Sequence, residues 1–194
     1  MNKRLHALAV LAGFLVGFGN SSAHGELNLS PRLESHVLDG VKMSQLVFDT
    51  GASNKASYEP PSGWNYSGGQ DSLSLRPKNL TQAEVRITKL PAASPVLFDD
   101  AGRKALTQGV TESLPKGSEQ MKVEVEKLNP LQIDGKSTYL VEVSYVFYGE
   151  RFACYNLLLD RKPQPLSFRL TCRQSDYQKL RDTFEKSLYS WQNL

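Results

Sequence analysis

The sequence predicts an α+β fold, with a mainly antiparallel sheet, one central helix and a C-terminal amphipathic helix packed on the sheet. Two observations support this class. Segments that alternate apolar and polar residues with a period of two recur along most of the chain, as half-buried strands do. A helical pattern interrupts them once, and a second, clearer one ends the chain. Strands grouped apart from helices in this way are typical of α+β domains.

The first 23 residues predict a secretory signal peptide. Lys3 and Arg4 precede an apolar run over 5–18, and Ser21 and Ala23 supply the small residues that signal peptidase requires. A membrane anchor is the alternative, but the run is shorter than the roughly 20 apolar residues of a spanning helix. We therefore expect cleavage after Ala23 and a mature chain, without a membrane span, in the periplasm or the medium.

The charge of the mature chain is close to neutral. The whole chain has 23 basic and 20 acidic residues, and losing Lys3 and Arg4 leaves 21 basic residues and a net charge of +1. This balance gives no electrostatic reason to expect binding to nucleic acid. We expect residues 24–42 to form an extended lead-in and 43–194 to form a single domain.

The first part of the predicted domain carries four strand signals, at 43–48, 55–59, 72–76 and 83–87. The second strand is ended by two consecutive prolines, which cannot donate to a sheet ladder. A helix follows, capped by Asp99 or Asp100 and closed by Pro115. Its expected apolar face consists of Ala101, Ala105, Leu106 and Val110.

Strand patterns resume after this helix. The alternation of Met121, Val123 and Val125 predicts one strand, and 151–159 and 166–172 predict two more. Between them one apolar face is unbroken along Tyr139, Val141, Val143, Tyr145 and Phe147. Turns are predicted at Asp134-Gly135 and at Gly149.

The last element has the clearest pattern. Ser175 and Gln178 have the spacing of a capping box, in which each side chain bonds the other residue's backbone. Apolar residues then recur at helical spacing, at Tyr177, Leu180, Phe184, Leu188 and Trp191. We expect this face to pack on the sheet.

Several of these segments resemble a PsbP-like domain. They are "YEPPSGW" at 58–64, "LSLRP" at 73–77 and "QAEVRI" at 82–87, followed by the long hairpin 139–159 and the strand 166–172. The chain from 43 to 194 is similar in this way to exported bacterial PsbP-like and DcrB-type proteins. That family includes photosystem II extrinsic subunits and bacterial envelope proteins, and it has no shared catalytic residue. The resemblance implies a binding or accessory module with an envelope protein or a small molecule as its partner.

Asp49-Thr50-Gly51 has the form of an aspartic-protease motif. Such enzymes hold two carboxylates that share a proton, and a single-lobe chain obtains the second by forming a homodimer. Phe147-Tyr148-Gly149 could pack behind the motif, and Asp134-Gly135 could act as a flap. The sequence after the motif lacks the expected apolar strand, and Asp, Thr, Gly and Ser all favour turns. We interpret the motif as a hairpin turn and keep a retropepsin-like protease as the alternative.

Two further sites have weaker support. Cleavage after Ala23 exposes His24, whose amine and ring can chelate copper, but His36 is the only other histidine of the mature chain. Trp64 and Tyr58 are candidates for lining a ligand pocket, although aromatic side chains more often fill a core. We therefore expect no cofactor or metal, and a non-enzymatic exported domain, with the protease and N-terminal copper binding as alternatives.

Cys154 and Cys172 are the only cysteines, in a chain directed to an oxidising compartment. Pairing Asp160 with Leu166 would place the two cysteines opposite each other, where a disulfide is feasible. Matching the apolar face of Leu166, Phe168 and Leu170 to that of the other strand shifts the register by one. The two sulfur atoms would then lie on opposite sides of the sheet. The sequence leaves both registers open.

Overall fold

The computed structural model describes residues 26–38, 41–51, 54–91 and 98–194. The predicted signal peptide and His24 lie outside these residues. The described chain forms ten strands and two helices, and all of its strand pairs are antiparallel. The α+β class with a mainly antiparallel sheet is therefore confirmed. No described helix has the length and apolar character needed to cross a membrane.

A small three-stranded sheet comes first. It consists of β1 (Asn28–Leu38), β2 (Val41–Asp49) and β3 (Ala56–Tyr58), in that order. The strand β1 lies within the segment that was expected to be a lead-in, and it pairs with β2 along most of its length. Its periodicity is weak because much of β1 is exposed, including Leu33 and Val37.

A larger sheet contains the other seven strands, in the order β4-β5-β6-β10-β9-β8-β7. In chain order they are β4 (Trp64–Gly68), β5 (Ser72–Pro77), β6 (Glu84–Lys89), β7 (Glu119–Leu128), β8 (Thr138–Phe147), β9 (Glu150–Leu159) and β10 (Leu166–Arg173). The strand β4 was not predicted, because its residues do not alternate in burial.

The helices α1 (Asp100–Glu112) and α2 (Tyr177–Leu188) lie on opposite faces of the large sheet. On the face that we call inner, α2 and the small sheet cover the main core. Trp191 joins these layers, since its ring stacks on Tyr58 at 4.6 Å and on Phe48 at 5.2 Å. On the outer face, α1 covers a smaller cluster built around Val141, Val143 and Cys154.

The start of α1 agrees with the sequence, but its buried face does not. The Asp99 carboxylate caps the helix by accepting a bond of 2.7 Å from the backbone N–H of Gly102. Val110 is buried, whereas Ala101 and Ala105 are exposed. The expected apolar face is therefore right for Leu106 and Val110, which pack on the outer cluster, and wrong for the two alanines.

The predicted apolar face of α2 is confirmed, since Tyr177, Leu180, Phe184 and Leu188 are buried. The predicted capping box is wrong. The helix begins one residue later than that box requires, with Asp176 at the N-cap and no side-chain cap bond. Gln178 instead donates from its amide to the Asp182 carboxylate at 2.9 Å, one turn further along the helix.

Candidate functional site

The turn between β8 and β9 has a tyrosine at a position where the backbone conformation favours glycine or asparagine. Tyr148 and Gly149 both have left-handed backbones, with φ angles of 48° and 78°. Two consecutive positive φ values are typical of a type I′ hairpin turn, which strongly favours Asn-Gly or Gly-Gly. Tyrosine is poorly suited to the first position because its Cβ crowds the backbone there. The side chain gains little packing in return, since Tyr148 is 90% exposed.

A second strained residue lies at the same end of the sheet. Among the described residues other than glycine, positive φ values occur at Gln120, Asn129, Asp134, Tyr148 and Asn193. Asn and Asp tolerate this region, but Gln and Tyr do so less readily. Gln120 follows Glu119, which pairs with Val146 close to the turn. Backbone strain of this kind tends to concentrate at functional sites.

Aromatic rings group on the outer face of this hairpin end, and we call them the aromatic cluster. Its members are Tyr145, Phe147, Tyr148 and Phe152. The centroids of the Phe147 and Tyr148 rings are 4.4 Å apart, and Tyr145 stacks on Phe152 at 5.7 Å. Tyr145 is buried, and this burial, with the nearby Cys154, raises its pKa to about 12. The hydroxyl of Tyr145 is therefore neutral, and the cluster is an apolar surface with Tyr148 at its exposed end.

A polar cavity of about 400 Å³ lies beside the same hairpin end. Its polar lining consists of Gln120, Lys122, Glu124, Ser144, Arg151 and Gln174. Val146 and Arg151 pair across the hairpin and, by strand alternation from buried Ala153, belong to the inner face. Apart from Tyr145, which also lines this cavity, the aromatic cluster thus lies on the opposite face of the hairpin. We call residues 145–152 the hairpin tip.

Two of the charged side chains in the inner cavity form an ion pair with each other, and the third has no such partner among the described residues. Lys122 Nζ lies 2.6 Å from Glu124 Oε2, and the Ser144 hydroxyl donates to Glu124 Oε1 at 2.7 Å. These two donors lower the pKa of Glu124. Arg151 is exposed, and its guanidinium has no hydrogen bond or ion pair within the described part of the chain. The cavity can therefore receive a carboxylate or another anionic group at Arg151.

A groove of about 660 Å³ between α1 and β7 is a second candidate site. Its floor is crossed by bonds that join the helix to the strand. The Tyr139 hydroxyl donates to Glu126 Oε1 at 3.1 Å, and Thr107 donates to the same carboxylate oxygen. Burial raises the pKa of Tyr139 and keeps this donor protonated. Thr107, Glu126 and Tyr139 thus have a structural role, which is to attach α1 to an edge strand.

Asp49 is the last residue of β2, and Thr50 and Gly51 follow it before the antiparallel strand β3. Asp49 is exposed, and its carboxylate accepts a bond of 3.0 Å from the backbone N–H of Gly51. Thr50 is buried and donates to the carbonyl of Asn54. The side chains of Asp49 and Thr50 thus bond backbone groups two and four residues further along the chain.

The carboxylate that shares a shallow cavity with Asp49 is that of Glu26. Glu26 already forms an ion pair with Lys89, at 3.0 Å, and Asp71 binds the same ammonium at 2.8 Å. Although burial opposes its charge, these two hydrogen bonds raise the pKa of Lys89. Glu26 therefore has a lysine cation as its charge partner, whereas the protease alternative would draw its second carboxylate from a second copy of the chain.

The predicted ligand-pocket residues lie in or against the core. Tyr58 is fully buried, and its hydroxyl lies 2.8 Å from that of Ser187. Burial raises the pKa of Tyr58. Trp64 is partly buried and packs against the inner core. His36 lies on β1, opposite Met43 of β2. In the part of the chain that the structure describes, no three His, Cys, Asp or Glu residues are grouped to hold a metal.

The two cysteines lie on opposite faces of the sheet. Leu166 pairs with Leu159, so Cys154 lies opposite Thr171 and Cys172 opposite Ala153. This register is the one that matches the apolar faces of the two strands. Cys154 belongs to the outer cluster and Cys172 to the inner core, and both are free. Burial raises the pKa of each thiol, that of Cys172 to about 12.

Sequence reasoning did not identify the hairpin tip as a site. It placed Phe147 on an apolar strand face, predicted a turn at Gly149, and gave the segment Phe147-Tyr148-Gly149 a possible packing role behind a protease motif. One signal was nevertheless present, because Gly149 predicted a turn directly after an aromatic pair. Turn residues are exposed, so a large aromatic side chain there was a candidate for binding.

No protein-family model matches the chain, and no curated protein sequence matches it. Solved structures do match. Cyanobacterial PsbP from Synechocystis sp. PCC 6803 is 12% identical, with a TM-score of 0.52, over 92% of this chain and 98% of that one. A protein of unknown function from Pseudomonas aeruginosa is 13% identical, with a TM-score of 0.42, over 82% of this chain and 95% of that one.

A third structure, from Bacteroides thetaiotaomicron, is 13% identical, with a TM-score of 0.46, over 71% of this chain and 44% of that one. Of the three, only the match to cyanobacterial PsbP has a TM-score above 0.5. At 12% identity it concerns the fold alone. The resemblance seen in the sequence is thereby confirmed at the level of architecture: the chain has a PsbP-like α+β fold.

Proposed function

We propose that the chain is an exported, non-catalytic binding protein that recognises a protein partner through its hairpin tip. The observation that carries this proposal is Tyr148, which is 90% exposed in a left-handed backbone conformation. Such strain costs on the order of 1–3 kcal/mol, and residues that carry it cluster at functional sites. Tyr, Phe and Arg together are also the residue types that are enriched at protein interfaces.

Two further observations support a binding role over an enzymatic one. Asp49 uses its carboxylate within its own turn, and the nearby Glu26 is engaged by Lys89. The PsbP-like fold also agrees with an accessory module, which is what the resemblance implies. A partner in the bacterial envelope suits a chain whose first 23 residues have the pattern of a signal peptide.

Export is tested by sequencing the N-terminus of the mature protein. We expect His-Gly-Glu, which begins at residue 24. Recovery of the intact N-terminus in a membrane fraction would contradict the proposal.

Partner binding is tested by photo-crosslinking in the native host. The photoreactive residue p-benzoyl-phenylalanine replaces Tyr148 in one variant and Tyr189 in the control. Tyr189 is a suitable control because it is also an exposed tyrosine, at 68%, but lies outside the hairpin tip. We expect one specific protein adduct from position 148 and none from position 189. Equal adducts from both positions, or none from 148, would refute a binding role for the tip.

A further inference from the structure

We infer that the hairpin tip inserts into a cleft of its partner, which has one apolar wall and one acidic wall. This inference rests on the proposed function and specifies the chemistry of the partner. Two observations support it. One face of the tip is apolar and the other is charged, and the end of the tip projects from the sheet.

The tip extends beyond both neighbouring strands. Pairing with β7 ends at Val146, which lies opposite Glu119. Pairing with β10 ends at Phe152, which lies opposite Arg173. Among the described strands none flanks residues 147–150, which project from the sheet, and Val146 and Arg151 lie at the base of this projection. A partner can contact both faces of such a projection at once, which a strand in the middle of the sheet would not allow.

The outer face of the projection is apolar. Phe147 and Phe152 are each partly exposed, and their ring centroids are 6.4 Å apart. The ring of Tyr148 extends this surface into solvent. Glu150 lies at the edge of this face, but its charge is matched by Arg173 at 2.7 Å. Removing apolar surface from water is favourable when an apolar surface covers it. The wall of the partner that covers the aromatic cluster must therefore be apolar.

Among the residues that line the inner cavity, the positive charges exceed the negative ones by one. The Lys122 and Glu124 charges are matched within the cavity at 2.6 Å, whereas Arg151 lacks a partner in the described structure. An arginine covered by a partner without a carboxylate would lose its water and gain nothing in exchange. A carboxylate can accept two parallel N–H bonds from the guanidinium, which makes it the complementary group. The second wall of the cleft must therefore be acidic.

The experiment places p-benzoyl-phenylalanine at Val146, which lines the inner cavity, and separately at Tyr148. We expect both positions to crosslink the same protein, in two separate segments, with Asp or Glu residues beside the Val146 adduct. We also expect Arg151→Glu to reduce the Tyr148 adduct about tenfold, because it sets like charges against each other. Arg151→Gln should reduce the adduct less, and Arg32→Glu, at an exposed arginine on β1, should leave it unchanged.

The outcomes separate this inference from the proposed function. A Tyr148 adduct without a Val146 adduct, or one that Arg151→Glu does not reduce, overturns the two-walled cleft but leaves a binding tip. Adducts to lipid in place of protein overturn both statements, as does the absence of any adduct at Tyr148. Thermal unfolding of each variant identifies any loss of adduct that is due to misfolding.

Discussion

At the residue scale, we expect Tyr148 to lower the stability of the fold while it contributes to partner binding. Asparagine tolerates a left-handed backbone far better than tyrosine does. We therefore predict that Tyr148→Asn raises the free energy of unfolding by about 1 kcal/mol, measured by urea denaturation. The same change should abolish partner capture, because it removes the exposed ring.

Two variants control this prediction. Tyr189 lies in a right-handed backbone, with φ at −69°, so Tyr189→Asn should not stabilise the protein. Tyr148→Phe keeps the ring and should keep binding without a gain in stability. A Tyr148→Asn protein that is no more stable than the parent would show that the turn carries no strain from tyrosine.

Cys154 and Cys172 give the second prediction at this scale. Because Cys154 lies opposite Thr171, the two sulfur atoms are on opposite faces of the sheet. We predict two free thiols per chain when the unreduced protein is unfolded and titrated with a thiol reagent. The folded protein should react slowly, since both thiols are buried and their pKa values are raised. Titration of fewer than two thiols would indicate a disulfide and a different strand register.

At the element scale, α2 is fixed to the sheet by a buried ion pair as well as by its apolar face. Glu142 on β8 is 6% exposed, and its Oε1 lies 3.3 Å from Arg181 Nη1. Removing the cation would leave a buried carboxylate without its charge partner. We predict that Arg181→Met lowers the free energy of unfolding by about 1–3 kcal/mol, measured by chemical denaturation.

The neighbouring helix positions provide the controls for the Arg181 prediction. Lys179→Met, at an exposed position of the same helix, should change stability by less than about 0.5 kcal/mol. The double variant Arg181→Met, Glu142→Leu should recover most of the loss, because no buried charge then remains. No recovery in the double variant would mean that Arg181 acts through packing of its aliphatic stem.

Strands and helices with a buried face were predicted from the sequence better than exposed ones. Strands with one buried face, such as β5, β6 and β10, were predicted within a few residues because burial alternates along them. The strand β4 and the lead-in strand β1 were missed because exposed strands are not required to alternate. The α2 face was predicted, but its cap was not, because the turn after β10 places Asp176 and not Ser175 at the first position.

The candidate site was harder to predict than the fold, for a physical reason. Buried positions impose a pattern on the sequence, whereas the hairpin tip is exposed and imposes none. The inner cavity joins Arg151 of β9 to Lys122 of β7, which are brought together only by the pairing of β8 with both strands. The Asp49 motif was conspicuous in the sequence, and in the structure its carboxylate accepts a bond from the backbone N–H of Gly51.

At the scale of the whole molecule, the core contains several acids that burial holds in their neutral form. Burial raises the pKa of Tyr58, Tyr155 and Tyr177, and the carboxylates of Glu185 and Glu142 raise those of the last two further. Burial also raises the pKa of Cys172 to about 12. In the unfolded chain these groups titrate near their ordinary values, about 8.5 for Cys and about 10 for Tyr.

These shifts predict a loss of stability at alkaline pH. Below about pH 8 the folded and the unfolded protein both keep all of these protons, so the free energy of unfolding does not change through these groups. As the pH rises above about 9, the unfolded chain releases protons that the folded protein retains. The free energy of unfolding must therefore fall, and it continues to fall until the folded groups titrate, near pH 12 for Cys172. We predict a decline that steepens above about pH 10, where the tyrosines of the unfolded chain begin to ionise.

Urea denaturation at a series of pH values between 7 and about 11 measures this decline. Tyr177→Phe keeps the buried ring but removes one ionisable group, so its stability should fall less steeply than that of the parent above about pH 10. Tyr189→Phe is the matched control, since Tyr189 is 68% exposed and its loss should leave the slope unchanged. A parent slope equal to that of Tyr177→Phe would mean that the Tyr177 hydroxyl reaches water in the folded protein. The first turn of α2 would then not pack closely on the inner face of the sheet.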